Sequence, residues 1–406
     1  MADGPARLLF VHHRPELGGA PTSLFYLLEK LDRDRFEPHV YCPPGPAAEL
    51  FRTAPATVHT GPVAGFTHIW ASTYSGRRWL LFGRELAHLP RHLRAFRRTL
   101  RSQRFALVHL NDSPLLPAAW LAHRAGIPVV WHLRSALPHG SRDRRSRMIR
   151  SLIQRLATAS IAINDNVAES FSVDAEVVPN PVDLTRFAPG DAASARVPLG
   201  LPADLPVISY FGFIYPSKGF REFIQAADLL RSCGIEACYL IVGGDVRGDP
   251  FFDTRFGRAL QMFGLARNHE REAKLLVTQL GLDDAVRFVP FTADTPLLYR
   301  ASDVVVVPSR GPELGRPVIE AAACGRVIVA SGSLDGAGLL IPGETGFLIP
   351  RRSPDVLAAA LEKLIGDPEL RGRLGENARR HAEALFSAER NTERVMELYD
   401  RLLAGR

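Results

Sequence analysis

Asp303-Val-Val-Val-Val-Pro-Ser-Arg-Gly-Pro-Glu-Leu-Gly-Arg-Pro-Val-Ile-Glu-Ala-Ala-Ala-Cys-Gly-Arg-Val-Ile-Val-Ala330 spells a strand, a glycine-containing loop, a helix and a second strand in one passage. The valine run ending at Pro308 suits a strand buried on both faces. Apolar periodicity then predicts a helix over 318–324, which Gly325 stops. Val327 to Ala330 predicts the next strand. A strand that returns after a helix lies parallel to its predecessor, so the passage predicts a parallel sheet covered by helices on both faces.

The same alternation extends in both directions. Strands are expected over 207–211, 238–242 and 286–289, with a helix over 220–231, helices between 255 and 280, and helices from 354 onward. The first half has its own series: strands over 8–12, 38–41, 106–110, 129–132, 160–163 and 176–178, and helices over 21–31, 47–51, 90–101, 117–125 and 146–158. Prolines at 179, 181, 189, 198, 202 and 206 interrupt the periodicity and mark a linker. The fold class predicted is α/β, with Rossmann-like doubly wound domains over 1–185 and 186–385 and a terminal helix over 386–406 that can pack back on the first domain.

A chain of 406 residues suffices for two such cores, and 46% hydrophobic with 23% charged residues is a globular composition. No apolar run approaches the roughly 18 residues that cross a bilayer, and Leu8 to Val11 is too short for a secretion signal, so a cytoplasmic location is expected. Cys42, Cys233, Cys238 and Cys324 show no metal or disulfide spacing and read as reduced thiols. The net charge is +7, and only four of the 50 basic residues are lysines.

Three strand-to-helix loops could carry chemistry. Gly18-Gly19-Ala20 before Pro21 presents backbone amides at a helix N-terminus, which suits a phosphate or anionic acceptor, although an ordinary turn has the same text. Tyr210-Phe-Gly-Phe-Ile-Tyr-Pro-Ser-Lys-Gly-Phe220 sets Lys218 just before a helix, where it can neutralise a diphosphate. The quoted passage adds Glu313 in the loop and Glu320 at the expected start of the helix, placed to accept sugar or ribose hydroxyls; a carboxylate there could equally only complement the helix dipole. His132 ends a strand, as a catalytic group or a hydrogen-bonded core histidine. No G-x-G-x-x-G or P-loop pattern follows a strand, which argues against a dehydrogenase or P-loop enzyme. Asp32-Arg-Asp34 and His12-His13 lack further ligands, so no metal is assigned.

Taken together, the Gly18-Gly19-Ala20 loop, Val130-Trp-His132, Val178-Pro-Asn-Pro-Val-Asp183, Gly212 to Gly219, Asp303 to Ser309, Gly315 to Gly325 and Pro342-Gly-Glu-Thr-Gly-Phe-Leu348 resemble the retaining glycosyltransferases of family 4. The resemblance implies the GT-B architecture, two facing Rossmann-like domains with a cleft that holds a nucleotide-sugar. It implies catalytic roles for His132 and Glu313, and donor binding by Gly19, Gly212, Lys218, Leu314, Gly315, Arg316 and Glu320. It implies no cofactor and no metal, a nucleotide-diphosphate sugar as substrate, and a glycan or lipid-linked sugar as acceptor. Two positions depart from the family pattern. Pro312 stands where the first carboxylate of an E-x7-E pair is usual, leaving Glu313 one residue late, and Phe213 replaces an arginine. A sugar-nucleotide-binding protein of the same fold with impaired chemistry is therefore the alternative.

Thr67 to Arg104 holds Trp70, Tyr74 and Trp79, followed by an arginine-rich helix expected from Pro90. Leu93, Phe96 and Leu100 share its apolar stripe, while Arg91, Arg94, Arg98 and Arg101 lie to the side and behind. The helix is either docked with a solvated basic face or an attachment to an anionic membrane surface, which would suit a lipid-linked acceptor and a peripheral position on the inner face of the plasma membrane. A nucleic-acid partner would leave the carboxylate loop unexplained, and none is expected.

Overall fold

The computed structural model describes residues 4–65, 79–137, 144–245, 248–263, 266–290, 292, 294–311, 315–332 and 338–405. Two compact units divide the chain: unit 1 comprises Met1–Asp183 and Phe386–Arg406, and unit 2 comprises Leu184–Leu385.

In unit 1 the order is β1 (Ala6–His12), α1 (Gly19–Lys30), β2 (Phe36–Cys42), α2 (Pro46–Thr53), β3 (Thr57–Thr60), α3 (Trp79–Ser102), β4 (Leu107–Asn111), α4 (Leu116–Arg124), β5 (Val129–Leu133), α5 (Arg144–Leu156), β6 (Ala159–Ala162), α6 (Asp165–Phe171) and β7 (Glu176–Val177). Unit 2 follows with α7 (Ala192–Arg196), β8 (Val207–Phe211), α8 (Phe220–Ser232), β9 (Cys238–Val242), α9 (Gly248–Asp253), α10 (Arg255–Met262), α11 (His269–Gln279), β10 (Val286–Val289), α12 (Thr295–Ala301), β11 (Val304–Val307), α13 (Arg316–Ala323), β12 (Val327–Ser331), β13 (Gly346–Ile349), α14 (Pro354–Gly366) and α15 (Pro368–Leu385). The last helix, α16 (Ala388–Ala404), returns to unit 1.

The sheets are parallel throughout, with orders β3-β2-β1-β4-β5-β6-β7 and β10-β9-β8-β11-β12-β13. Each reverses direction once, between β1 and β4 or between β8 and β11, and ligands of open α/β sheets bind beyond the strand ends at that point. The strands are apolar without alternation because both faces are covered. Along β1, Leu8 and Phe10 enter the cluster beneath α1 and α16, whereas Leu9 and Val11 enter the one beneath α3 and α4. In α16, Val395, Met396, Leu398 and Tyr399 all join the first cluster, each burial contributing about 2 kcal/mol. The chain leaves and re-enters unit 1 side by side: the Val182 amide donates to Phe386 O (2.8 Å) and the Ala388 amide to Val182 O (3.2 Å).

The boundary between the units, at Asp183 and Leu184, falls inside the proline-rich stretch read as the linker, and the rest of that stretch belongs to unit 2. There Arg196, 6% exposed, donates to Ala301 O (3.0 Å) and ties α7 down. The basic helix begins at Trp79 rather than near Pro90, which lies inside it. Its apolar stripe packs as expected, with Phe96 and Leu100 buried and Arg91, Arg94, Arg98 and Arg101 exposed. Trp70 and Tyr74 lie outside the described residues. Finally, α13 begins at Arg316, so Glu320 stands in its second turn and cannot serve as a first-turn complement to the dipole.

Candidate active site

At the switch point of unit 1, His12, Asn111 and His132 stand side by side at the ends of β1, β4 and β5. Their side chains are almost wholly buried, as is that of Arg134 just beyond β5. Asn111 Nδ2 lies 2.9 Å from His12 Nδ1 and 3.2 Å from Ala20 O, which ties β4 to the start of α1. Its Oδ1 accepts from Arg134 Nε, while Arg134 Nη1 donates to Asn180 Oδ1 at 2.6 Å.

Arg134 Nη2 lies 3.4 Å from His132 Nδ1. A guanidinium only donates, so Nδ1 is the acceptor and the neutral ring carries its proton on Nε2. That Nε2 is buried with no hydrogen-bond partner among the described residues. Burial holds the His132 pKa well below the ordinary 6.5, and Arg134 and His109 depress it further. The ring is therefore held neutral, with its N–H on Nε2, and is poorly suited to accept a proton. His109, on β4, meets the His132 ring edge-on at 5.3 Å, and its Nδ1 lies 2.7 Å from the Tyr399 hydroxyl of α16. Desolvation pushes both His12 and His109 down to about 3.

Asp112 follows β4 with φ 103°, a backbone state few side chains adopt. It persists because its amide donates to His132 O (2.9 Å) and its Oδ1 accepts from the amides of Ser113 (2.8 Å) and Arg134 (3.4 Å). Burial raises its pKa.

Gly19 is the first residue of α1, which has no acidic residue in its first turn and no side-chain cap. Preceding it, Gly18 has extended backbone, and nothing lies within 4 Å of where its Cβ would stand. Packing within the protein does not demand glycine there.

At the switch point of unit 2, Gly212 leaves β8 with φ 137°, and its amide donates to Val242 O at 2.9 Å. Pro216–Lys218 forms a 3-10 turn closed by Gly219, whose φ is 80°. A Cβ on Gly219 would stand 1.8 Å from Pro308 O, so only glycine lets the lysine turn close on the end of β11. The Arg310 amide, reaching Ser217 O at 2.8 Å, completes the junction. Lys218 is half-buried, and its ammonium pairs with no carboxylate among the described residues. By contrast, Arg310 Nε is held 2.6 Å from Glu222 Oε1 in the first turn of α8.

Gly315, with φ 74°, caps α13. From the first turn Arg316 Nε donates to Glu320 Oε1 (2.8 Å), and the Tyr299 hydroxyl donates to Glu320 Oε2 (2.9 Å). Burial and the adjacent Glu320 raise the Tyr299 pKa far above its ordinary value, keeping it a donor. Tyr299 is itself stacked on Phe211, with centroids 3.9 Å apart. Glu320 is thus aimed by two partners, and each carboxylate oxygen retains a lone pair for a ligand hydroxyl. Pro312, Glu313 and Leu314 lie outside the described residues.

Sequence reasoning missed Arg134, Asn111 and His109 in unit 1 and Arg310, Glu222 and Tyr299 in unit 2. For Arg134 a signal existed: an arginine two residues beyond His132, where an apolar strand meets a loop. The Asp32 and Asp34 pair closes a turn, the Asp34 amide donating to Asp32 Oδ1 at 2.9 Å.

Two family models match, one per unit: Glycosyltransferase Family 4 over residues 17–186 and Glycosyl transferases group 1 over residues 191–381. A protein named D-inositol 3-phosphate glycosyltransferase from Rhodococcus opacus (strain B4) is 30% identical over 317 residues, covering 73% of this chain and 67% of that protein. The chain belongs to glycosyltransferase family 4. A relative of the same name from Saccharomonospora viridis is 34% identical over 229 residues, covering 55% of the chain. The chain spans about half the length of that relative, 49%. Among solved structures, Anabaena Alr3699/HepE in complex with UDP and glucose aligns with a TM-score of 0.77 at 21% identity, covering 98% of this chain and all of that one. Sucrose-phosphate synthase from Thermosynechococcus elongatus aligns with a TM-score of 0.74 at 22% identity, covering 99% of this chain and 100% of that one. The fold is that of the GT-B glycosyltransferases, as the family 4 resemblance implied. Among the described residues no helix is long and apolar enough to cross a membrane.

Proposed function

We propose that this family 4 protein is a retaining glycosyltransferase of hexosyltransferase type, moving a sugar from a nucleotide-diphosphate sugar to the hydroxyl of a glycan or lipid-linked acceptor. The observation that carries the reading is the unit 2 loop pair: a glycine-pinned turn presenting Lys218, and Glu320 aimed by Arg316 and Tyr299. A lysine with no carboxylate partner among the described residues suits a diphosphate, and an oriented carboxylate suits the two hydroxyls of a ribose. UDP in the Anabaena neighbour supports a uridine nucleotide as the first donor to test.

As the bond from the anomeric carbon to the departing diphosphate lengthens, negative charge grows on the diphosphate and positive charge on the sugar. Lys218 meets the first without requiring a metal. Arg316 serves the ribose through Glu320, since its Nε is already engaged there. Glu313 is the sugar-side carboxylate in this reading, with the backbone at Gly212, Leu314 and Gly315 lining the donor. On unit 1, His132 donates its Nε2–H to an oxygen beside the reacting carbon, and the Gly19 amide serves the donor. The names of the relatives add an inositol phosphate to the acceptors worth assaying. The exposed arginines of α3 support a peripheral position on an anionic cytoplasmic membrane face, where a lipid-linked acceptor would be met.

The test is a thermal-shift screen of nucleotides followed by transfer assays with the stabilising donor. A ligand at a hundred times its dissociation constant adds about 2.7 kcal/mol, a shift that is easily read. Stabilisation by UDP with sugar transfer and retained anomeric configuration supports the reading. Stabilisation with neither hydrolysis nor transfer would favour the impaired sugar-nucleotide-binding alternative suggested by Pro312 and Phe213.

A further inference from the structure

Between β9 and α11, unit 2 carries the short helices α9 and α10 and leaves large apolar side chains in water. Phe256 is 66% exposed, Met262 77% and Phe263 62%. Phe256 and Phe263 share one helix face with the half-buried Ala259 and Leu260, and Met262 stands on the adjoining face between Arg255 and Arg258. Together they show on the order of 400 Å² of apolar surface, within the range of the largest patches on monomers, which are often functional. The flanks are cationic. Arg255, Arg258 and Arg267 are exposed, and no acid occurs between Thr254 and His269. On the C-terminal side the next acids are paired, Glu270 with Lys274 at 2.7 Å and Glu272 with Arg221, while on the N-terminal side the exposed Asp253 precedes Thr254, so three arginines stand against one nearby acid.

We propose that α10 is an interfacial docking element that seats unit 2 on an anionic bilayer surface. A stable protein partner needs about 800 Å² on each side with matched shape, and a patch about half that size on a single short helix falls short. A bilayer needs no shape match. It accepts an apolar patch to a depth of roughly 5–10 Å while arginines at its edge meet the lipid phosphates. This surface lies on a different unit from the basic face of α3, and its assignment does not depend on the reaction proposed above.

The experiment is co-sedimentation of the full chain with phosphatidylcholine vesicles, with or without phosphatidylglycerol, at low and high salt. Three proteins are compared with the parent: Phe256→Ser/Met262→Ser/Phe263→Ser, Arg255→Gln/Arg258→Gln/Arg267→Gln, and the α3 control Arg94→Gln/Arg98→Gln/Arg101→Gln. The parent is expected to pellet with the anionic vesicles and to be released by salt. Each arginine near the surface is worth about fivefold in partition, so the α10 arginine variant should lose about 100-fold. The serine variant should lose binding to the anionic vesicles at low salt while its unfolding temperature stays that of the parent, because the replaced groups are exposed. Parental binding by both α10 variants, or loss confined to the α3 variant, would overturn the proposal.

Discussion

Acidification should unfold unit 1 well before its carboxylates titrate. His12 and His109 are buried in the fold with pKa values of about 3, against an ordinary 6.5. A group whose folded pKa is depressed binds its proton preferentially in the unfolded chain, so stability is intact above 6.5 and falls as pH drops toward 3. Between about pH 7 and pH 5, each such histidine costs about 2 kcal/mol, roughly 4 kcal/mol for the pair. His132, His92 and His59 are also depressed by burial and add in the same direction. Asp112, raised by burial, opposes them in part by taking up a proton in the fold. Against a typical total of 5–15 kcal/mol, the net loss is large. The assay is urea unfolding followed by tryptophan fluorescence. The four tryptophans, Trp70, Trp79, Trp120 and Trp131, all precede Asp183 in the sequence, so the signal follows unit 1 and not unit 2. His109→Gln should be less stable at pH 7 yet lose about 2 kcal/mol less than the parent on going to pH 5. A parental midpoint that stays flat between those pH values, or a pH slope unchanged in His109→Gln, would refute the burial argument.

Other expectations concern unit 2. Lys218→Ala should weaken UDP binding by roughly one to two orders of magnitude by calorimetry, the worth of a charged hydrogen bond of about 1.5–3 kcal/mol; unchanged affinity would remove the diphosphate assignment. Gly219→Ala should destabilise unit 2 by about 3 kcal/mol or more, because the new Cβ meets Pro308 O at 1.8 Å in a left-handed backbone, and calorimetric unfolding would show a lower melting temperature. Glu320→Ala should raise the donor dissociation constant, whereas Glu313→Ala should mainly lower kcat, its bonds tightening as the sugar flattens. Equal turnover in Glu313→Ala and the parent would argue that Glu313 does not hold the sugar.

What the sequence determined by itself is local: runs whose two faces are both buried, and loops whose glycines and prolines punctuate them. The valines of β11 and the apolar text of β1, β5, β8 and β12 are legible because a strand covered on both sides must be apolar at every position. The edge strands β3 and β13 escaped notice because they are short and half-covered, and Thr57–Thr60 has hardly an apolar residue. The start of α3 was misplaced because Pro90 looks like a first helical residue, although the helix forms around it. Lys218, Gly219 and Glu320 could be picked out since their motifs are contiguous. The environment of His132 could not: Asn111 meets His12 across 99 positions, Arg134 meets Asn180 across 46, and Tyr399 reaches His109 across 290. Only the parallel register and the return of α16 bring these groups within 3 Å of one another. In the low dielectric they create, it is that packing, and no feature of the histidines themselves, that decides which nitrogen holds the proton.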